Sequence, residues 1–249
     1  MKRFPNHKVF IIYSESEKKP KIGGVEVVPI SQESRWLELD SLYTHPKDFR
    51  SNFWLTSSAR LYAIEQFMQR GIRDVIHIES DVILSEDFPF KKFEEIERGL
   101  SYPLISESRA VASTVFIRDL EAARLLTSNL IKSAQANPQT TEMLALRELY
   151  DENYSQIQPL PLSGSIPMGY RNISINTREK IIEASSLFGG AFDGVEVGQY
   201  FYGTDPRNRR GRILLNTDLV DGYVNLPSIK LKFDKKRRFP NLLVGDSEI

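Results

Sequence analysis

Two carboxylates, Glu79 and Asp81, end the segment Asp74-Val75-Ile76-His77-Ile78-Glu79-Ser80-Asp81-Val82-Ile83-Leu84. The segment reads as a buried strand. Strand side chains alternate faces, so His77, Glu79 and Asp81 share one face while Ile76, Ile78 and Val82 share the other. Two acids at i and i+2 on the end of an apolar strand repel each other and lose hydration, which a cation between them relieves. Hard oxygen ligands of this kind suit Mg2+ or Mn2+, which share their coordination with the phosphates of a ligand. The same pattern also describes a capped strand whose acids pair with nearby Arg or Lys.

A second constellation runs from Phe188 to Asn208, where glycines alternate with Phe192, Tyr200, Phe201 and Tyr202 and with Asp193, Glu196 and Asp205. Glycine lets the backbone approach a ligand closely, and flat aromatic faces beside acids and amides are what carbohydrate recognition uses. The plainer reading is a turn-rich loop with some aromatics packed inward. Basic residues at Arg207, Arg209, Arg210, Arg212, Lys230, Lys232, Lys235, Lys236, Arg237 and Arg238 match phosphate chemistry, but a solvated charged face is the plainer reading. His7, His45 and His77 are scattered. No Ser stands in a Gly-x-Ser-x-Gly elbow, and the phosphate-loop and dinucleotide fingerprints are missing.

These residues need elements to hold them. Val9 to Tyr13 is a continuous apolar run, the pattern of a central parallel strand. Val25 to Ile30 reads as a second strand after the Gly23-Gly24 turn. Thr56 to Arg70 reads as a helix with a stripe of Leu61, Ile64, Phe67 and Met68, and Gly71 stands where a helix C-terminus wants glycine. Phe93 to Gly99 reads as a short helix, and Leu104-Ile105 and Ala112 to Ile117 as strands. Asp119 caps a helix through about Lys132. Asn137-Pro138 reads as an N-cap and first-turn pair opening a helix to about Tyr150. Residues 31–53 show no pattern, and the chain beyond 150 reads as irregular. The alternation predicts an α/β layered fold, a mostly parallel sheet flanked by helices with a loop-rich C-terminal portion.

Composition narrows the function classes. The chain has 249 residues, 41% hydrophobic and 27% charged, with 33 basic and 33 acidic side chains. A formal net charge of zero gives no argument for nucleic acid or an anionic membrane surface as partner. The absence of cysteine excludes disulfides, thiol catalysis and Cys-ligated metals. No run approaches the roughly 18 apolar residues of a membrane helix, and the opening apolar run is too short for a signal peptide. The expectation is a single-domain cytoplasmic protein without an integral membrane segment.

Taken together, these pieces resemble the GT-A type of nucleotide-sugar-dependent glycosyltransferases. His77-Ile78-Glu79-Ser80-Asp81-Val82 stands where that superfamily has its Asp-x-Asp motif, and Phe192-Asp193-Gly194 through Asp205-Pro206-Arg207-Asn208 resembles the far wall of the site. The match covers roughly residues 50–120 and 188–220. Here the motif is Glu-Ser-Asp, one methylene longer on one arm, and no His follows His77.

The resemblance implies a Rossmann-like GT-A sheet, with a nucleotide-binding half over about 1–120 and an acceptor-side half over about 121–249. It implies transfer of a sugar from a nucleoside-diphosphate donor to a carbohydrate or other hydroxyl acceptor, with Mn2+ or Mg2+ stabilising the departing diphosphate. Asp81 is then the direct metal contact and Glu79 a contact to the metal or the donor ribose. Tyr13, Ser14 and Glu15, at the end of the first strand, face the nucleotide base. Ser57 and Arg60, near a helix N-terminus, touch donor phosphate or sugar. Inversion needs a base for the acceptor, for which Asp193 is the first candidate and Glu142 the second. The alternatives are another metal-dependent enzyme, a nucleotidyltransferase or phosphohydrolase, and a non-catalytic sugar- or nucleotide-binding domain.

Overall fold

The computed structural model describes residues 7–31, 34–49, 52–79, 82, 84, 88–106, 108–161, 175–189 and 192, and the backbone of 229–232, 241–244 and 247–248. The chain divides into two compact units, residues 1–194 and 195–249.

The first unit opens with β1 (Phe10–Ser14) and β2 (Glu26–Ile30), which pair in parallel with Phe10 opposite Glu26 and Ser14 opposite Ile30. Helix α1 (Ser34–Leu42) follows, in the stretch whose sequence shows no period. Its inward Leu39 is fully buried while Leu37 is 56% exposed, so a nine-residue helix carries too few apolar positions to declare itself. Helix α2 (Phe53–Met68) starts a turn earlier than the apolar stripe suggests, after Asn52 in the left-handed region at φ 63°. Asn tolerates that region better than most residues. Gly71, at φ +86°, carries the chain away from the helix, a backbone angle that side chains rarely adopt.

A five-stranded sheet forms the middle of this unit. It contains β3 (Val75–Ile78), β4 (Leu100–Ser106), β5 (Arg109–Ala110), β6 (Thr114–Ile117) and β7 (Ile157–Leu160). The path runs β3-β6-β4-β5, with β7 on β4. The β3–β6, β4–β6 and β4–β5 pairs are antiparallel, and β4–β7 is parallel. The sheet is therefore mixed where a mostly parallel one was expected, and connection length explains the antiparallel β4–β5 and β4–β6 pairs. Only a few residues join β4 to β5 and β5 to β6, and a parallel pair needs a crossover of a dozen or more. Between β4 and β7 the crossover exists, in helices α4 (Leu120–Ala136) and α5 (Glu142–Glu152).

The α/β layering predicted by the alternation is present. On one face Leu100, Tyr102, Leu104, Val115, Ile117 and Ile157 pack against α1, α2, α4 and α5. On the other, Phe116 and Leu160 meet Phe93 and Ile96 from around the short helix α3 (Phe90–Glu94) and Phe188 from α6 (Ile175–Phe188). Phe192 joins this second cluster, so Phe188 and Phe192 take the inward-packed reading of the Gly-aromatic segment. Both β7 and α6 lie in the region expected to be irregular. Pro159 within β7 disguised a strand, yet among the described residues β7 pairs on one edge only, where a missing N–H is tolerated.

Two boundaries differ from expectation for local reasons. Asn137 is the C-cap of α4, its N–H donating to the Ser133 carbonyl, and Asn137 Oδ1 accepts from the Gln139 N–H at 3.0 Å. The Asn-Pro pair therefore makes a turn, and α5 begins at Glu142 behind the cap Thr141, whose hydroxyl accepts from the Leu144 N–H at 3.4 Å. The expected strand through Leu84 ends at Ile78. Just past it the Val82 N–H donates to the Glu79 carbonyl at 3.1 Å.

In the second unit β8 (Ile229–Lys232), β9 (Asn241–Val244) and β10 (Ser247–Glu248) form an antiparallel sheet in the order β10-β9-β8. Among the described residues no helix is long and apolar enough to cross a membrane.

Candidate active site

Four of the residues singled out by sequence meet on the α2 face of the sheet. Val115 and Ile117 of β6 face the larger core, and His77 is paired with Val115, so alternation sends His77 and then Glu79 toward the same side. Glu79 is held just past the end of β3 by its N–H, which donates to the Ser113 carbonyl at 3.0 Å. Ser57 and Arg60 lie in the first half of α2, separated by the three-residue step that puts side chains on one helix face. Glu142 is the first residue of α5.

Arg60 stands between the two acids. Its Nη1 donates to Glu79 Oε1, and its Nη2 lies 3.5 Å from Glu142 Oε1. The Arg60 and Glu79 side chains are 24% and 27% exposed, and that of Glu142 only 8%. Ser57 Oγ donates across 3.0 Å to Glu142 Oε2. Arg60 Nε and His77 Nε2 are buried and have no hydrogen-bond partner among the described residues.

The electrostatics follow from burial. Desolvation pushes the Glu142 carboxyl above the usual carboxylate range; Arg60, Ser57 and its own backbone N–H pull it back, and Glu79 adds to the rise. Desolvation, helped by the Arg60 charge, drives His77 down to about 4, so this imidazole is neutral at neutral pH. A buried carboxylate whose affinity for protons is raised, and which hydrogen-bonds a hydroxyl, is a group that can take a proton from a hydroxyl.

Beside Glu142 lies an aromatic cluster. His45 Nε2 is 2.6 Å from the Thr140 carbonyl oxygen, and its ring stacks on Trp54 at 5.1 Å. Phe49 also stacks on Trp54, and Tyr43 meets His45 edge-on. His45 is thus a partnered residue of this cluster.

The other expected residues lie elsewhere. Tyr13 and Ser14 are in β1, whose last residues run beside Pro29 and Ile30, and the Glu15 N–H donates to the Ile30 carbonyl at 2.9 Å. Ser14 Oγ bonds Ser16 Oγ at 2.7 Å. No described contact joins these three residues to Ser57, Arg60, Glu79 or Glu142. Asp81 and Asp193 lie outside the described residues.

Among the described residues no group of three or more His, Cys, Asp or Glu is placed to hold a metal. The Glu79 carboxylate is already taken by a guanidinium. This pairing is the capped-strand arrangement for Glu79, and the metal expectation rests on Asp81.

Sequence reasoning passed over one polar network entirely. Glu65 of α2 is 5% exposed, beside Leu61, Ile64 and Met68 of the apolar stripe. It accepts from Arg35 Nη1 at 2.9 Å and from Thr127 Oγ1, with Arg124 Nε 3.8 Å away. The available signal was a carboxylate at the i+4 position from Leu61, inside the stripe, which burial tolerates only with a partner.

Comparison with protein-family models, with curated proteins and with solved structures finds no match for this chain.

Proposed function

We propose that the protein is a glycosyltransferase of GT-A-like architecture, moving a sugar from a nucleoside-diphosphate donor to a hydroxyl acceptor. The observation that carries this reading is the convergence of Ser57, Arg60, Glu79 and Glu142 from two helices and a strand end. The resemblance of the Glu-Ser-Asp segment to the Asp-x-Asp motif supports it from the sequence side. The parallel β1–β2 and β4–β7 pairs are compatible with such an architecture.

In this reading Glu142 serves as the base, because burial raises its affinity for protons and it accepts a hydrogen bond from a hydroxyl; Asp193, the first candidate from the sequence, lies outside the described residues. Its carboxylate takes the acceptor hydroxyl proton as the acceptor oxygen bonds to the sugar anomeric carbon. The bond from that carbon to the diphosphate oxygen breaks, and its electron pair leaves with the nucleoside diphosphate. Ser57 holds Glu142 Oε2, and Arg60 faces Oε1 at 3.5 Å, so the two fix the orientation of the carboxylate. Arg60 supplies positive charge beside the two acids, where water-poor surroundings strengthen it.

Donor panels of UDP- and GDP-sugars, with and without Mn2+ or Mg2+, test the reading through release of nucleoside diphosphate. Glu142→Gln is expected to lower turnover by roughly 100-fold or more while donor affinity changes little. Release of phosphate or pyrophosphate instead would point to a phosphohydrolase or nucleotidyltransferase. Donor binding without cleavage would point to a binding domain. Neither binding nor turnover in the intact protein would end the proposal.

A further inference from the structure

We propose that a second site, at the C-terminal end of β2, binds a small oxyanion: a phosphate or carboxylate group carried by a metabolite. A cavity of about 330 Å3 opens there among β2, α1, α2 and α4. That volume is at the low end of what small-ligand sites occupy. It is lined by Ser31, Arg35, Glu65, Gln66, Gln69 and Arg124, with Trp36 among the apolar residues of its wall.

Among its described lining residues the charges do not cancel. Glu65 is the buried anion; it accepts from Arg35 Nη1 at 2.9 Å and from the Thr127 hydroxyl. Arg35 is locked in place by further donations to Thr127 Oγ1 at 3.0 Å and Ser128 Oγ at 3.2 Å, yet its side chain keeps 40% exposure. Arg124 is a second guanidinium on the same carboxylate. It lies 3.8 Å away, beyond hydrogen-bond distance, is 59% exposed, and shows no hydrogen bond among the described residues.

Among the described lining residues, one carboxylate between two guanidiniums leaves a surplus positive charge. One fork is pre-oriented, and the other has its donors free. A planar or tetrahedral oxyanion is what such forks recognise, in two-pronged fashion. Gln66 is spent on Ser31, accepting from its N–H at 3.1 Å, whereas no hydrogen bond is described for the Gln69 side chain. Gln69 therefore adds a neutral donor to the rim. Arg60 and Gln69 are nine residues apart on the α2 helix and its cap, about 13 Å at the helical rise, so this site is separate from the Glu142 cluster.

Titration of the full-length chain with inorganic phosphate, and in a parallel arm with acetate, tests this by calorimetry. Saturable one-to-one binding of either anion is expected, and the preferred arm identifies a phosphate or a carboxylate ligand. Arg124→Gln should weaken it roughly tenfold or more, in line with loss of a charge-assisted contact. Gln69→Glu should weaken it likewise, by placing a negative charge at the rim without touching the buried network. Glu142→Gln should leave it unchanged, so this site and the proposed transferase centre stand or fall separately. No saturable binding of either anion, or binding that survives both Arg124→Gln and Gln69→Glu, overturns the proposal.

Discussion

Burial favours the neutral form of both Glu142 and His77, so the two make stability respond to pH from opposite sides. For His77 the folded state holds the proton less tightly than the unfolded chain. Stability is therefore full above about pH 6.5 and is lost as pH falls toward about 4. The size of that loss is on the order of 3 kcal/mol. Urea unfolding across this range should show the slope, and His77→Leu should flatten it; an unchanged slope would mean the ring is accessible to protons in the folded state. For Glu142 the folded state holds the proton more tightly. Stability falls as pH rises from the ordinary carboxyl range through the raised value, and Glu142→Gln should remove that fall. Arg60 is the counter-charge to both acids. Arg60→Gln should cost about 2–3 kcal/mol by the same measurement, less than a fully buried pair because a quarter of the side chain is exposed.

Helix starts decide where the reactive side chains fall. Asp119 and Thr141 both cap by accepting a backbone N–H three residues on, at 3.0 and 3.4 Å. Asp119→Ala should cost about 1 kcal/mol and Thr141→Ala no more than that. Only the second adjoins Glu142, so only Thr141→Ala is expected to lower turnover beyond its effect on stability, read as kcat at a temperature where both variants are folded. Leu126→Ala, beneath the sheet, should cost about 2–5 kcal/mol by leaving a cavity in the larger core. At this scale β1, α2, α4 and β6 were legible as elements, because each carries an apolar run or stripe, and β2 because it follows the Gly23-Gly24 turn. That β1, among the described residues, pairs with β2 alone in a two-stranded sheet, instead of standing at a centre, was not legible. The start of α5 was misread because Asn-Pro has the residue types of a helix opening and of an Asx turn alike, and here Asn137 Oδ1 accepts from the Gln139 N–H while Thr141 takes the cap. Helix α1 has too few inward residues to show a period, and β7 hides behind Pro159.

Both hydrophobic clusters formed by the described residues lie within residues 1–194, which predicts that this unit unfolds cooperatively on its own. A chain ending at Gly194 should give a single urea transition; a gradual loss of signal would show that residues 195–249 complete the core. For the molecule as a whole, the sequence by itself determined the α/β layering, the apolar faces of the main helices and the alternation that sends His77 and Glu79 to one side. These are local properties, set by period and residue type along a short stretch of chain. The tertiary structure alone decided that Arg60 bridges Glu79 to Glu142, that Tyr13, Ser14 and Glu15 contact β2 instead of that cluster, and that Glu65 gathers two arginines. Each of these joins side chains far apart in sequence, and burial, which sets their charge states, exists only after the layers have closed.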